Sequence, residues 1–215
     1  MTLVFAAAVA WVRPAVGQAP QKPKPPAAHG SAPQACGLGG DGVLKCPRFG
    51  FTYKTTLGWV DRTDEMQPDA GAITPESGEA GNPKGDKSET LLAVFERPPA
   101  APGDTINSAV VIVAESLADY HGIKTAADYF GPITELAEQR GFKVEHEPEV
   151  FSVGTKQLVR GDFSKPRGTL TMWQSSLVMI EKGHIVSFTF LGGSEDEVDE
   201  LIGNLSFGTR SAAPH

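Results

Sequence analysis

The sequence predicts an α+β fold built on a mainly antiparallel sheet. The segment from His184 to Phe190 alternates apolar and polar residues, as a half-buried strand does. Ser194, with Glu197 three residues later, forms a capping box that starts a helix, and the apolar residues after it recur at helical spacing. Most other segments have the pattern of strands, with one further helix in the middle of the chain, an order typical of α+β proteins.

The remaining elements follow from the same patterns. A helix is predicted from Thr125 to about Arg140, where Gly141 ends it. Pro132 lies in its first half and is expected to kink or restart it. The final helix is expected to place Val198, Leu201, Ile202 and Leu205 on the sheet. The predicted strands cover residues 49–55, 91–96, 109–115, 142–147, 149–153, 156–163, 169–181 and 184–190.

The N-terminal segment has most features of a signal peptide. An apolar run covers residues 3–12, which is too short to span a bilayer and suits a signal-peptide core. Gly17 and Ala19 place small residues at positions −3 and −1 of a cleavage after Ala19. The usual positive residues before the run are absent, and Arg13 follows it. We therefore expect residues 1–19 to be a signal peptide and the protein to be periplasmic or extracellular.

Composition divides the rest of the chain into a tether, one domain and a tail. Residues 20–35 are rich in proline and poor in apolar side chains, which predicts a disordered tether. Residues 36–208 suit a single domain with a long loop at 64–88, and residues 209–215 are expected to be disordered. No second apolar segment occurs, so we expect no stable membrane span after signal removal.

Cys36 and Cys46 are the only cysteines in the sequence. In an exported chain two cysteines at this spacing most simply form a disulfide, with free thiols as the alternative. A zinc site would need two more ligands nearby, and a redox pair is more often Cys-x-x-Cys. The segment Gly37–Gly42 matches G-x-G-x-x-G, but no helix is predicted after it to hold a pyrophosphate.

Charge and motifs exclude several classes of function. The formal net charge of −7 gives the protein no electrostatic reason to bind nucleic acid or anionic lipid. No serine-hydrolase elbow, zinc-protease, Walker or EF-hand motif occurs. His121, in a turn before the middle helix, could pair with Asp119 or Asp128. An envelope hydrolase with a site near His121 and the 64–88 loop is therefore an alternative.

The segment from Glu145 to Glu149 brings a histidine and three carboxylates close together in sequence. With the acidic loop it makes a weak divalent-metal site a further alternative. Alternate residues of a strand face opposite sides, however, so His146 and its neighbouring glutamates are not expected to converge. A charged edge facing solvent explains the segment better.

Three aromatic residues are candidates for the floor of a ligand groove. They are Tyr53, Trp59 and Trp173. Aromatic residues in strands are more often part of the core, which is the expected role here.

Spaced aromatic, glycine and apolar positions recur between residues 49 and 207. They are Phe49-Gly-Phe-Thr-Tyr53, Gly58-Trp59, residues 110–117, the helix at 125–140, residues 150–154, Trp173-Gln174, residues 182–190 and residues 205–207. This pattern resembles the PsbP-like family, whose fold is shared with the Ran-binding nuclear-import factor. An aromatic-proline step that often precedes the Gly-Trp pair is replaced by Thr56-Leu57.

The resemblance implies an α/β/α sandwich, with a central antiparallel sheet and helices on both faces. It also implies a non-enzymatic accessory or binding module, and many bacterial members are exported proteins of unknown role. No ligand motif matches residue by residue, so the resemblance assigns no binding residue. We therefore expect an exported, non-catalytic module without a cofactor that engages a protein or a small ligand in the cell envelope.

Overall fold

Two β-sheets and two α-helices form the part of the chain that the computed structural model describes, which is residues 35–68, 88–98 and 104–208. The predicted signal peptide, nearly all of the tether, the tail and loop residues 69–87 lie outside the described residues. The boundaries expected for those segments therefore stay predictions.

The larger sheet contains seven strands of the described chain. They are β4 (Val60–Asp61), β5 (Ser88–Phe95), β6 (Ala109–Ser116), β7 (Lys143–Val153), β8 (Lys156–Arg167), β9 (Leu170–Glu181) and β10 (His184–Gly192). Their order is β4-β5-β6-β10-β9-β8-β7, and each neighbouring pair is antiparallel. Strand β7 therefore forms one edge of this sheet.

The smaller sheet contains four described strands in the order β1-β2-β3-β11. They are β1 (Gly37–Leu38), β2 (Val43–Cys46), β3 (Phe51–Lys54) and β11 (Leu205–Phe207). A disulfide joins Cys36 to Cys46, which confirms the predicted pairing. The glycine motif at 37–42 leads through a tight turn into β2 rather than into a helix, so it is a hairpin and lacks the geometry of a dinucleotide loop.

The smaller sheet and helix α2 (Glu195–Ile202) share a buried core with one face of the larger sheet. The ring of Phe51 in β3 meets that of Phe188 in β10 edge to face, with centroids 5.0 Å apart. The buried residues supplied by the smaller sheet and α2 include Leu44, Phe51, Tyr53, Val198, Leu201, Ile202 and Leu205. Aromatic pairs of this kind add to the free energy gained from burial alone.

Helix α1 (Phe130–Gln139) contributes to a second core, which contains the alternate residues of β6. Its buried side chains are Phe130, Ile133 and Ala137. The Phe130 ring packs onto the backbone of Gly161 in β8, where an added Cβ would lie 2.6 Å from the ring. Glycine at this position therefore lets the helix approach the sheet.

Both helices are shorter than predicted. The middle helix begins at Phe130 rather than Thr125, after a turn at 126–129. Pro132 consequently lies in the first turn of the helix, where a backbone N–H has no intrahelical partner, so the proline removes no hydrogen bond from it. The final helix ends at Ile202, and Leu205 belongs to β11.

The capping box that begins α2 is confirmed, because the Ser194 hydroxyl accepts a hydrogen bond from the Glu197 backbone N–H at 3.1 Å. The α+β class and the mainly antiparallel sheet are also confirmed. The α/β/α sandwich is not confirmed in that form, since the smaller sheet accompanies α2 on its face. Within the described residues, no helix is long and apolar enough to cross a membrane.

Candidate functional site

A surface cleft of about 260 Å³ lies where strands β7, β8 and β9 meet the N-terminal half of α2. Charged and polar side chains from all four elements line it. The ionisable ones are His146, Glu149, Arg160, Asp162, Glu195 and Asp199. The sequence had suggested His146 and Glu149 only as part of a weak metal site, and Trp173 only as a candidate for a groove floor, without connecting them.

Arg160 is the centre of a hydrogen-bonded network in this cleft. Its Nε donates to the two carboxylate oxygens of Asp162 at 2.9 and 3.0 Å. Its Nη2 donates to the Ser175 hydroxyl at 3.1 Å and lies 2.8 Å from Oδ1 of Asp199. The Ser175 hydroxyl in turn donates to Asp162. The network therefore joins β8, β9 and α2 through one guanidinium.

The Arg160 and Asp162 side chains are only 16% and 15% exposed. Burial by itself lowers the pKa of the Arg160 guanidinium, but the hydrogen bonds and charges of Asp162 and Asp199 outweigh it and raise that pKa overall. Arginine thus stays charged, as it does throughout the ordinary pH range. The guanidinium is therefore a permanent positive charge held between two carboxylate side chains.

Strand periodicity explains why Arg160 and Asp162 meet. Residues two apart on a strand face the same side of a sheet. In the antiparallel register Asp162 lies opposite Ser175, and Arg160 lies opposite Leu177. The three polar side chains therefore project from the same face, on which α2 also packs.

An irregularity in β7 brings His146 and Glu149 to the same cleft. His146 pairs with Asp162, and Glu149 pairs with Arg160, so three steps along β7 match two steps along β8. The register shifts between these pairs, as it does where a bulge inserts an extra residue in one strand. Regular alternation would have placed the two side chains on opposite faces, which is why the sequence did not predict their convergence.

Aromatic and aliphatic side chains also line the cleft. They are Phe151 from β7, Trp173 from β9 and Val198 from α2. The guanidinium carbon of Arg160 lies 5.2 Å from the centroid of the Phe151 ring. Trp173 is half-buried, and it makes no cation–π contact within the described chain. Arg160 thus already lies over the Phe151 ring, whereas the Trp173 ring is available to contact a ligand.

The three aromatic candidates from the sequence have different roles. Tyr53 belongs to the core, and its hydroxyl donates to the backbone carbonyl of Leu201 at 3.2 Å. Trp59 packs against that core from its periphery. Trp173 packs against the same core but also lines the cleft, so one of the three contributes to a groove.

Among the residues that the structure describes, no catalytic group is gathered around His121, and most of the 64–88 loop of that hypothesis lies outside them. This side chain is exposed and makes no hydrogen bond or ion pair with any described residue. The Asp128 carboxylate instead accepts hydrogen bonds from the backbone N–H groups of Lys124 and Thr125, at 3.0 and 2.8 Å. These bonds lower the pKa of Asp128 and hold the turn that leads into α1.

The part of the chain that the structure describes contains no preformed metal site. No group of three or more His, Cys, Asp or Glu side chains is positioned there to hold an ion. Glu145 accepts a hydrogen bond from Ser164, whereas His146 lies on the cleft side, with Nδ1 3.6 Å from Oδ2 of Asp162. Most of the acidic loop in that hypothesis is outside the described residues.

A second buried carboxylate belongs to the core that contains α1. Glu115 is fully buried and accepts hydrogen bonds from the hydroxyls of Tyr120, at 2.6 Å, and Tyr129. Burial, reinforced by the charge of Glu115, raises the pKa of Tyr129. Buried charges of this kind need such donors, and the arrangement fixes the end of β6 to the segment before α1.

The sequence did carry one signal for the cleft that was not used. Arg160 and Asp162 stand two apart on a predicted strand, and polar residues 174–176 interrupt the next strand. Opposite charges at this spacing face the same side, and a polar patch on a sheet face that must pack needs internal partners. To connect these two observations, one would have to know which strands pair and in which register.

Fold and cleft together define an α+β domain with a polar, aromatic-lined groove beside one helix. No protein-family model matches the chain, and no curated protein sequence matches it. Among solved structures, the fold is similar to that of cyanobacterial PsbP from Synechocystis, with 14% identity and a TM-score of 0.44. That match covers 81% of this chain and 98% of PsbP.

Two further solved structures are similar at lower coverage. LpqN of Mycobacterium tuberculosis, which is involved in cell envelope biogenesis, has 14% identity and a TM-score of 0.35 over 60% of this chain and 83% of its own. PA94 of Pseudomonas aeruginosa, a protein of unknown function, has 16% identity and a TM-score of 0.34 over 57% and 77%. These likenesses concern the fold, and the PsbP-like family that the sequence resembles is represented among them.

Proposed function

We propose that this protein is an exported, non-catalytic binding module that holds a small ligand in the cleft between β7, β8, β9 and α2. The observation that carries the proposal is the Arg160 network. Arg160, Asp162, Ser175 and Asp199 are already hydrogen-bonded to one another. Such a network keeps the walls of the cleft in place before a ligand arrives, which lowers the entropic cost of binding.

The same network argues against a reaction in this cleft. An acyl-transfer site needs a nucleophile that is hydrogen-bonded to a base able to take its proton. The Ser175 hydroxyl donates to Asp162, but Asp162 is held by Arg160 through both of its oxygens. Asp162 is thus engaged by the Arg160 guanidinium and is not arranged as the oriented base of a nucleophile. The groups are therefore suited to recognition rather than to proton transfer.

Export is supported by two features of the sequence and structure. The apolar run at 3–12 has the length of a signal-peptide core. The Cys36–Cys46 disulfide is of a kind that persists in oxidising compartments and is rare in the cytosol. Cell fractionation of the tagged chain should recover it from the envelope or the medium, and retention in the cytosol would contradict this part of the proposal.

Binding is tested by nuclear magnetic resonance on the isotope-labelled protein, with a fragment set that contains amines, carboxylic acids and sugars. We expect amide shifts to concentrate at Arg160, Ser175 and Asp199. Trp173→Ala should weaken binding, and Trp173→Phe should retain part of it because a ring remains. Leu57→Ala is the matched control, since Leu57 is 92% exposed and lies outside the cleft. Shifts that are absent, or that cluster elsewhere, would overturn the proposal.

A further inference from the structure

The ionisable side chains that line the cleft are mostly acidic. Four carboxylates, those of Glu149, Asp162, Glu195 and Asp199, stand against one guanidinium, that of Arg160. The N-terminus of α2 adds a partial positive charge of about half a unit, which is small beside this excess. A concave, partly apolar surface concentrates the field of such charges, so the cleft attracts cations and repels anions.

Arg160 does not provide a site for an anion. Two carboxylates already offset its charge, Asp162 through Nε and Asp199 through Nη2. An incoming anion would have to compete with Asp162, which is as deeply buried as Arg160 itself. Displacing it would leave a buried carboxylate without its cation, which is strongly unfavourable.

Two of the carboxylates remain available for a ligand. Within the described chain, Glu149 and Glu195 have no hydrogen-bond or ion-pair partner, and both are exposed. They come from different elements, the edge strand β7 and the first turn of α2. A cation in the cleft would therefore meet acceptors from both elements, and Trp173 adds an aromatic ring, a group that attracts cations.

Size and ligand geometry restrict the kind of cation. The volume of about 260 Å³ is below the range of roughly 300–1,000 Å³ found for sites of drug-sized ligands, so one small group fills it. The described carboxylates and histidines form no preformed metal cluster. An aromatic wall suits an organic cation, whose aliphatic carbons gain from contact with a ring.

We infer that the ligand of this cleft is a small organic cation, an ammonium or guanidinium group on a short aliphatic stem, held between Glu149 and Glu195 and against Trp173. This inference rests on the proposed function, because it specifies the ligand of the same cleft. The two exposed carboxylates pair with the cationic group, the ring covers its stem, and the Arg160 network forms the rigid base beneath them.

Titration of the protein with agmatine, which carries both cationic groups, tests the inference. We expect saturable binding, with amide shifts at Ser175 and Asp199, that weakens as salt is added. Glu149→Gln and Glu195→Gln should each weaken binding about threefold to fivefold, and the double variant should weaken it further. Glu147→Gln and Glu200→Gln are matched controls, since they remove one charge from β7 and from α2 outside the cleft and should leave the affinity nearly unchanged.

Failure of the inference can be distinguished from failure of the proposed function. If citrate or glucose shifts the amides of the cleft while agmatine does not, the cleft is a binding site but its ligand is not a cation, and the inference is wrong. If agmatine binds and all four charge variants weaken it equally, the attraction comes from the acidic surface as a whole, which also overturns the inference. If no fragment and no probe shifts these amides, the proposed function itself fails.

Discussion

Nη2 of Arg160 lies 2.8 Å from Oδ1 of Asp199, so a side chain of the sheet is bonded directly to helix α2. The two ends of this ion pair are in different environments, since the Arg160 side chain is 16% exposed and that of Asp199 is 58% exposed. Removing one end should therefore have a different effect on stability from removing the other.

Arg160→Met should lower the free energy of unfolding by roughly 3 kcal/mol, because it leaves the buried Asp162 carboxylate without a cation. Asp199→Asn should cost less than about 1 kcal/mol, as exposed ion pairs do. Urea denaturation of the two variants measures both values. The double variant Arg160→Met with Asp162→Leu should regain part of the loss, and equal effects of the two single substitutions would contradict this account.

The buried tyrosines should make stability fall at alkaline pH. Burial raises the pKa of Tyr53 and, together with the charge of Glu115, that of Tyr129, above the ordinary value of about 10. Above pH 10 the unfolded chain loses these protons while the folded chain keeps them. Unfolding then releases protons, so the free energy of unfolding decreases as pH rises. Below pH 10 the contribution is fully present.

Phenolate absorbance measured together with circular dichroism checks this behaviour in a chain that has three tyrosines. We expect two of them to ionise only as the structure is lost. Ionisation of all three near pH 10 with the circular dichroism unchanged would show that Tyr53 and Tyr129 are accessible in the folded protein.

Gly161→Ala should destabilise the protein by about 1–3 kcal/mol, because the new methyl group would lie 2.6 Å from the Phe130 ring. Gly37→Ala is the control, at an exposed position of β1 where no atom beyond the adjacent residues lies within 4 Å of an added Cβ. It should change the free energy of unfolding by no more than about 0.5 kcal/mol, as most surface substitutions do. Thermal unfolding should therefore shift clearly only for Gly161→Ala, and equal shifts for the two variants would contradict the packing described.

Ser194→Ala should lower the free energy of unfolding by about 1 kcal/mol, because it removes the acceptor for the Glu197 backbone N–H at the start of α2. Ser152→Ala, at an exposed position of β7, should change it little. Chemical denaturation compares the two. A neutral Ser194→Ala would mean that water replaces the hydroxyl as the partner of that N–H group.

Patterns within a few neighbouring residues were enough to predict individual strands and helices. Features that depend on pairing between distant segments could not be predicted from such patterns. Strand β10 and the start of α2 were predicted because alternation and a capping box are contained in a few neighbouring residues. The smaller sheet was not, since β11 pairs with β3 across most of the chain. The first turn of the middle helix was assigned too early because Thr125 and Asp128 form their own capped turn.

The cleft could not be predicted because it depends on register. The residues around Pro148 give no sign that β7 contains an extra residue relative to β8. That register shift places His146 and Glu149 on the same face. Sequence reasoning correctly identified the segment as an exposed edge. It missed that the edge also forms one wall of a groove.

The disulfide determines how the domain responds to tension on its N-terminal side. Strand β1 lies inside the loop closed by Cys36 and Cys46. A pull transmitted through the chain before Cys36 therefore passes across the covalent bond to Cys46, which lies opposite Phe51 in β3, and bypasses β1. The two residues of β1 would bear the force only after reduction. Mechanical unfolding from this end should therefore begin with the four residues of β2 rather than with the two of β1, and it should need a larger force.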